Sequence, residues 1–226
     1  RIAELMGATQ IWVPGATLCD GIAYEYAEKN NLVKGVHDFE QDIIACAMNI
    51  SKRYMGSRKR AETLENISTS IFDSMKKIHG MGKIERLQLQ IAAILHECGN
   101  YINMHDGARN SYYIVANTEI VGLSHKERME IANIVKYNII YLPDYQSISS
   151  ELVGSDYLTI AKLVAILRIA NGLDKSHLQK IEKLDVAIKG DQLIISASTF
   201  LANFVSAFIS EVSTLLKTSF TIVFMF

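Results

Sequence analysis

The sequence predicts a mainly α-helical fold that ends in a small α+β unit, and three observations carry that expectation. Only two prolines, Pro14 and Pro143, interrupt 226 residues, which favours long helices. Apolar residues recur at spacings of three and four through most of residues 38–173. After His177 the pattern changes to short apolar runs with a Gly-Asp turn signal at Gly190-Asp191.

Taken in order, Arg1–Met6 reads as the end of a helix, Gln10–Val13 as a short strand and Pro14-Gly15 as a turn. Thr17–Lys29 reads as a helix with Ile22, Ala23 and Tyr26 on one face. A strand fed by a truncated helix cannot build its own core, so an upstream domain is expected before it. Asn30-Asn31 breaks the pattern. From Asp38 the stripe Ile43, Ala47, Ile50 and Tyr54 marks a helix that Gly56-Ser57 ends. Leu64, Ile67, Ile71, Met75 and Ile78 mark the next, closed by Gly80 and Gly82.

Glu85–His96 is apolar on most sides and reads as a central helix. Ser111–Thr118 is a shorter one. Ser124 with Glu127 forms a capping box that opens a helix through Ile131, Ile134, Val135 and Asn138, with Pro143 beyond its end. Leu158–Leu173 reads as a second central helix; Lys162, Arg168 and Asn171 interrupt it too often for a membrane span. Leu184–Ile188 and Leu193–Ser196 are strands, Phe200–Leu216 is amphipathic, and Thr218–Phe226 is a third strand. The tail is therefore a β-β-α-β unit.

Composition bounds the chemistry. The apolar fraction is 49% and the charged fraction 21%, as in a soluble globular protein with a sizeable core. A net charge of −1 supplies no global field toward nucleic acid or a membrane surface, so any polyanion site must be a local patch. Cys19, Cys46 and Cys98 lack metal-ligand spacing and read as reduced thiols of a cytoplasmic protein. Neither G-x-S-x-G nor a Gly-rich phosphate loop of the G-x-G-x-x-G or G-x-x-x-x-G-K-[ST] type occurs.

The most informative stretch is Leu95-His96-Glu97-Cys98-Gly99, ahead of His105-Asp106-Gly107. An imidazole beside a carboxylate at the end of an apolar helix resembles the core of an HD-type metal phosphohydrolase site. Such a site needs further His and Asp ligands from other helices, because the metal must be held from several directions to activate water. The other reading of His96 is structural: it closes its helix and bonds Asn171 or a backbone carbonyl. Asp106 reads as an N-cap and His105 as a loop residue. The run Lys52-Arg53…Arg58-Lys59-Arg60 straddles the Gly-Ser break and is the strongest basic feature. It reads as a solvated loop or as a patch that grips a phosphate chain. Arg168, in a helix that otherwise reads as buried, needs a partner, and Glu97 is a candidate. Tyr112, Tyr113, Tyr137 and Tyr141 read as packing tyrosines, and Cys98 as a packed thiol.

The order of these pieces resembles the Ppx/GppA family of exopolyphosphatases and guanosine pentaphosphate phosphohydrolases. The resemblance rests on four segments. They are Val13–Tyr24 with Asp20-Gly21, Lys52-Arg53-Tyr54 with Ile71-Phe72-Asp73, Leu95–Ile102 with Ser111-Tyr112-Tyr113-Ile114, and Leu167–Asp174. It implies that residues 1–30 end an actin-like domain, 31–180 form an HD-like bundle of about six or seven helices, and 181–226 form the α+β unit. It also implies that hydrolysis, with Mg²⁺, belongs to upstream actin-like domains, and that this chain carries no cofactor of its own. At positions where the family resemblance to HD sites asks for His or Asp, this sequence has Thr63, Asn110, Asn138 and Asn171. His96, Glu97 and Asp174 remain as vestigial candidates. The expected function is that of an accessory domain, holding a polyphosphate chain with Lys52, Arg53, Arg58, Lys59 and Arg60 and contacting a second copy. The alternatives are a metal-dependent HD phosphohydrolase using His96, Glu97 and Asp174, and a dimerisation scaffold without ligand. Neither a membrane nor a nucleic acid is an expected partner.

Overall fold

The computed structural model describes residues 2–10, 15–34, 38–149, 154–189, 192–199 and 218–225. The chain divides into two compact units, Arg1–Asp38 and Phe39–Phe226. The first contains α1 (Ile2–Leu5) and α2 (Leu18–Lys29). Thr17 opens α2 with a reciprocal cap. Its hydroxyl accepts from the Asp20 N–H at 3.3 Å, and its own N–H donates to Asp20 Oδ2 at 2.7 Å. Most of the strand expected at Gln10–Val13 lies outside the described residues.

In the second unit α3 (Phe39–Arg53) buries Ile43, Ala47 and Ile50, as its stripe predicts. The chain then turns sharply. Met55 adopts a left-handed conformation (φ 57°), and the Gly56 N–H donates to Ser51 O at 2.8 Å. A Cβ on Gly56 would run into Ser51, so only glycine fits. Ser57 caps α4 (Arg58–Ser74), which buries Leu64, Ile67, Ile71 and Phe72.

The stripe does not continue to Ile78 as expected. The helix breaks at Met75, a single turn α5 (Lys76–His79) follows, and Ile78 is exposed while His79 turns inward. The His79 ring lies 4.2 Å from that of Phe72. Its Nδ1 accepts from the Met81 N–H (2.9 Å), which leaves Nε2 to donate to Phe72 O (2.8 Å). These bonds satisfy backbone groups at the break and pull the chain out of helical phase.

Next come α6 (Lys83–Leu95), a 3₁₀ turn (Cys98–Tyr101), α7 (Gly107–Asn117), α8 (His125–Tyr137), α9 (Tyr145–Ile148) and α10 (Gly154–Leu173). Helix α6 is central: it packs against α3, α4, α8 and α10 and buries Leu89 and Ile91–Leu95. The capping box of Ser124 and Glu127 opens α8 as predicted. Helix α7 starts four residues earlier than Ser111. Asp106 precedes it as expected, but its carboxylate makes no cap bond and pairs with Arg109 at 4.0 Å instead. The start is set by packing. The Gly99 N–H donates to Ser111 Oγ (2.8 Å), locking the 3₁₀ turn onto α7.

Three antiparallel strands follow in the order β1 (Ile181–Lys189), β2 (Gln192–Thr199), β3 (Thr218–Met225). Lys189 pairs with Gln192, so two residues connect the hairpin, as its turn signal implies. Leu193 and Ile195 of β2 are buried, and β1 packs against α4. The amphipathic segment Phe200–Leu216 lies outside the described residues. Among the described residues no helix is long and apolar enough to cross a membrane. The architecture is mainly α with a small terminal sheet.

Candidate functional site

Three chain segments converge on one polar cluster inside the helical unit. Helix α4 enters with its first turn, where Arg60 falls on the same face as Leu64 and Ile67 and is therefore carried into the core. Helix α6 ends there, presenting His96 and Glu97. Helix α10 ends there too, presenting Asn171 and Asp174. Arg60, His96 and Asp174 are all 3% exposed or less.

The Arg60 guanidinium sits among the acceptors. Nη1 donates to Asp174 Oδ2 (2.8 Å) and to the Asp174 carbonyl (3.0 Å), and Nη2 donates to Asn171 Oδ1 (2.7 Å). Nε lies 3.0 Å from Glu97 Oε1, an ion pair whose N–H is not aligned as a hydrogen bond. Glu97 Oε1 is also 3.5 Å from His96 Nε2 and 3.7 Å from His177 Nδ1. His96 Nδ1 faces the Ala93 carbonyl at 2.8 Å and must be the donor there. Its Nε2 then points into the cluster, buried and without a hydrogen-bond partner. The second oxygen of Asp174 accepts from the Gln179 N–H (2.9 Å), which fixes the segment leading to β1. His177 and Gln179 in that segment hold positive φ values of 56° and 47°.

Burial on its own would raise the Glu97 carboxyl. The adjacent His96 ring, with the charges of Arg60 and His177, outweighs it and holds the group at about 2. Burial pushes the neighbouring Cys98 thiol up to about 12. A small cavity lined by Ser51, Ser57, Arg60, His96, Glu97 and Cys98 adjoins the cluster.

Two sequence expectations need correction here. Arg168 does not pair with Glu97: it donates to Tyr137 O (2.9 Å) and Ile140 O (2.6 Å), closing the C-terminal end of α8. The cation beside Glu97 is Arg60. Arg60 in turn is no part of an exposed basic loop, because its side chain is buried and bonded to Asp174 and Asn171. Lys52, Arg53, Arg58 and Lys59 do lie exposed, on either side of the Tyr54–Ser57 turn. Arg58 is held by Glu62 at 2.7 Å.

Of the positions read as altered ligands, only Asn171 reaches the cluster through a bond. Thr63 donates to Lys59 O (2.8 Å) along its own helix, and the amide of Asn138 is buried without a partner. His105 is exposed in its loop. Sequence reasoning missed the inward role of Arg60 and gave His177 none. The signal for Arg60 was present: it stands four residues before Leu64 and seven before Ile67.

The family model for the Ppx/GppA phosphatase, domain III, matches residues 44–209, more than half of the chain. The chain belongs to the Ppx/GppA phosphatase family. It is 21% identical over 202 residues to the guanosine-5'-triphosphate,3'-diphosphate pyrophosphatase of Vibrio vulnificus (strain YJ016). That alignment covers 86% of this chain but 37% of the relative. The match to domain III includes Arg60, His96, Glu97, Asn171 and Asp174.

A divalent metal, as an HD-type site would hold, does not fit this arrangement in the Ppx/GppA chain. The carboxylates of Glu97 and Asp174 and the amide oxygen of Asn171 already face one guanidinium. Among the described residues, no group of three or more His, Cys, Asp and Glu is placed to hold a metal ion.

Proposed function

We propose that this chain acts as the accessory domain of a Ppx/GppA-type phosphatase, binding a phosphate chain and contacting a second copy without hydrolysing substrate itself. In this reading residues 1–30 are the end of an actin-like domain. Upstream actin-like domains of the same polypeptide, with Mg²⁺, carry out the cleavage in the cytoplasm. The family match to domain III supports the accessory role. The observation that carries phosphate-chain binding is the placement of Lys52, Arg53, Arg58 and Lys59. Four exposed cations flank one four-residue turn, with α3 ending and α4 beginning on either side.

A polyphosphate chain carries about one negative charge per unit, and side-chain cations would hold it by releasing its counterions, as they do for nucleic-acid phosphates. Binding should therefore weaken steeply with salt. The test is titration of the chain with long-chain polyphosphate across a salt series. The Lys52→Ala/Arg53→Ala/Arg58→Ala/Lys59→Ala variant should bind more weakly, with a log–log salt slope shallower by about one per lost contact. Binding equal to that of the unaltered chain, with the same slope, would rule out this patch.

A further inference from the structure

Resting on the proposal above that this chain contacts a second copy, we infer that the contact is made by the free edge of β1. The β1 strands of the two copies pair antiparallel about Ala187 and join the two sheets into one.

In the sheet order β1-β2-β3, β2 is the one strand beside β1 among the described residues, so the other edge of β1 lies open there. Lys189 pairs with Gln192 across a two-residue turn, and a hydrogen-bonded pair closes such a turn. Bonding then alternates along the strand. Lys189, Ala187 and Asp185 turn their backbone groups toward β2, while Ile188, Val186 and Leu184 turn theirs outward. Burial also falls off at this edge. Leu193, Ile195 and Ala197 of β2 are buried, whereas their register partners Ile188, Val186 and Leu184 on β1 are only half-buried. One more strand beside β1 would complete both the ladder and the apolar face.

The edge is complementary to a second copy of itself. Laid antiparallel about Ala187, the stretch Asp185-Val186-Ala187-Ile188-Lys189 sets Asp185 opposite Lys189 twice and Val186 opposite Ile188 twice. Val186 and Ile188 then exchange backbone bonds across the axis, and the apolar positions of both copies stay on one face. Neighbouring registers fit worse. Centred on Asp185, the strands oppose that carboxylate to itself. Centred on Val186, they oppose Lys183 to Lys189. Centred on Leu184, they meet the bulge between Ile181 and Lys183 after one residue on either side. Asp185 and Ala187 are exposed and so stand open to a partner. Among the described residues, the groove of about 320 Å³ adjoining β1 is lined by Ile181, Leu184 and the α4 residues Thr63, Asn66, Ile67 and Ser70. None of these is charged, so a second copy meets no like charge there.

The test is sedimentation of the full chain over a concentration series, and a dimer is expected. Asp185→Lys should weaken it by about tenfold, since two attractive pairs become repulsive. Lys189→Asp should weaken it similarly, and the exchange Asp185→Lys/Lys189→Asp should restore it. In a Cys19→Ser background, Ala187→Cys should form a covalent dimer on mild oxidation, because position 187 faces itself across the axis at a non-hydrogen-bonded pair. Asp185→Cys should not. A dimer that ignores the charge exchange, and in which Ala187→Cys stays uncoupled, would overturn this interface and leave the second-copy contact standing. Coupling through Asp185→Cys instead would overturn the register. A monomer at every concentration would overturn both the interface and the contact.

Discussion

Replacing Glu97 with Gln should remove a specific part of the acid dependence of stability. The Glu97 carboxyl sits at about 2 instead of its ordinary 4.5, through His96, Arg60 and His177 acting against burial. A group whose folded-state value is depressed binds its proton less readily in the native state than in the unfolded chain. Its stabilising contribution is therefore complete above about 4.5 and disappears as pH falls toward about 2. At about 1.4 kcal/mol per pH unit that interval corresponds to about 3 kcal/mol. The side chain is 23% open to solvent, so screening reduces the expected figure to about 2 kcal/mol. The assay is urea unfolding of both proteins from pH 7 to pH 2. The stability difference between the unaltered chain and Glu97→Gln should be about 2 kcal/mol near neutrality and close to zero at the acid end, where Glu97 is itself protonated. Other carboxylates titrate over the same range, but they do so in both proteins and cancel in the difference. A difference that stays flat from pH 7 to pH 2 would refute the placement of Glu97 among these cations.

Three further outcomes test the packing around the same cluster. Cys98 is buried with its thiol pushed up to about 12 and its Sγ directed at Leu95 O, whereas Cys19 is exposed. With a thiol-specific disulfide reagent at pH 8, Cys19 should react quickly and Cys98 only on unfolding; equal rates would contradict the buried assignment. Gly99→Ala should be severely destabilising, because a methyl there meets the Gly107 carbonyl and the Ser111 backbone nitrogen, neither of which can rotate away. A loss of about 3 kcal/mol is expected, seen as a midpoint lower by about 6–12 °C. Gly172→Ala, in α10 with nothing within 4 Å, should instead stabilise by several tenths of a kcal/mol.

Periodicity made the bundle legible because most of its helices are amphipathic in a regular way. Leu64, Ile67 and Ile71 align on α4, and Ser124 with Glu127 announces α8 before any packing is known. The break at Met75 was not legible, since it depends on His79 reaching a carbonyl and a ring that belong to the preceding helix. The early start of α7 was hidden for a similar reason: the Gly99 N–H and Ser111 Oγ, twelve residues apart, settle it. Arg168 was recognised as a buried cation in need of a partner. Its acceptors are carbonyls at the end of α8, and only the packing of α10 against α8 brings them within reach.

The cluster shows the same division at the level of chemistry. His96-Glu97 stood out because an imidazole and a carboxylate are adjacent in sequence, and Asp174 stood out by its distance from Asn171. Arg60 did not, because Arg58 and Lys59 before it made a run of charge that reads as solvated surface. Helical geometry separates the three: one residue per 100° sends Arg58 and Lys59 outward and turns Arg60 toward Leu64. Once Arg60 is inside, the neutral residue at 171 and the two carboxylates stop being unrelated substitutions. Asp174 and Asn171 accept the hydrogen bonds of one guanidinium and Glu97 pairs with its charge, so each is hard to change alone. Asn171→Asp would add a charge for which the cluster has no cation, and Arg60→Ala would strand two carboxylates that α6 and α10 continue to hold together.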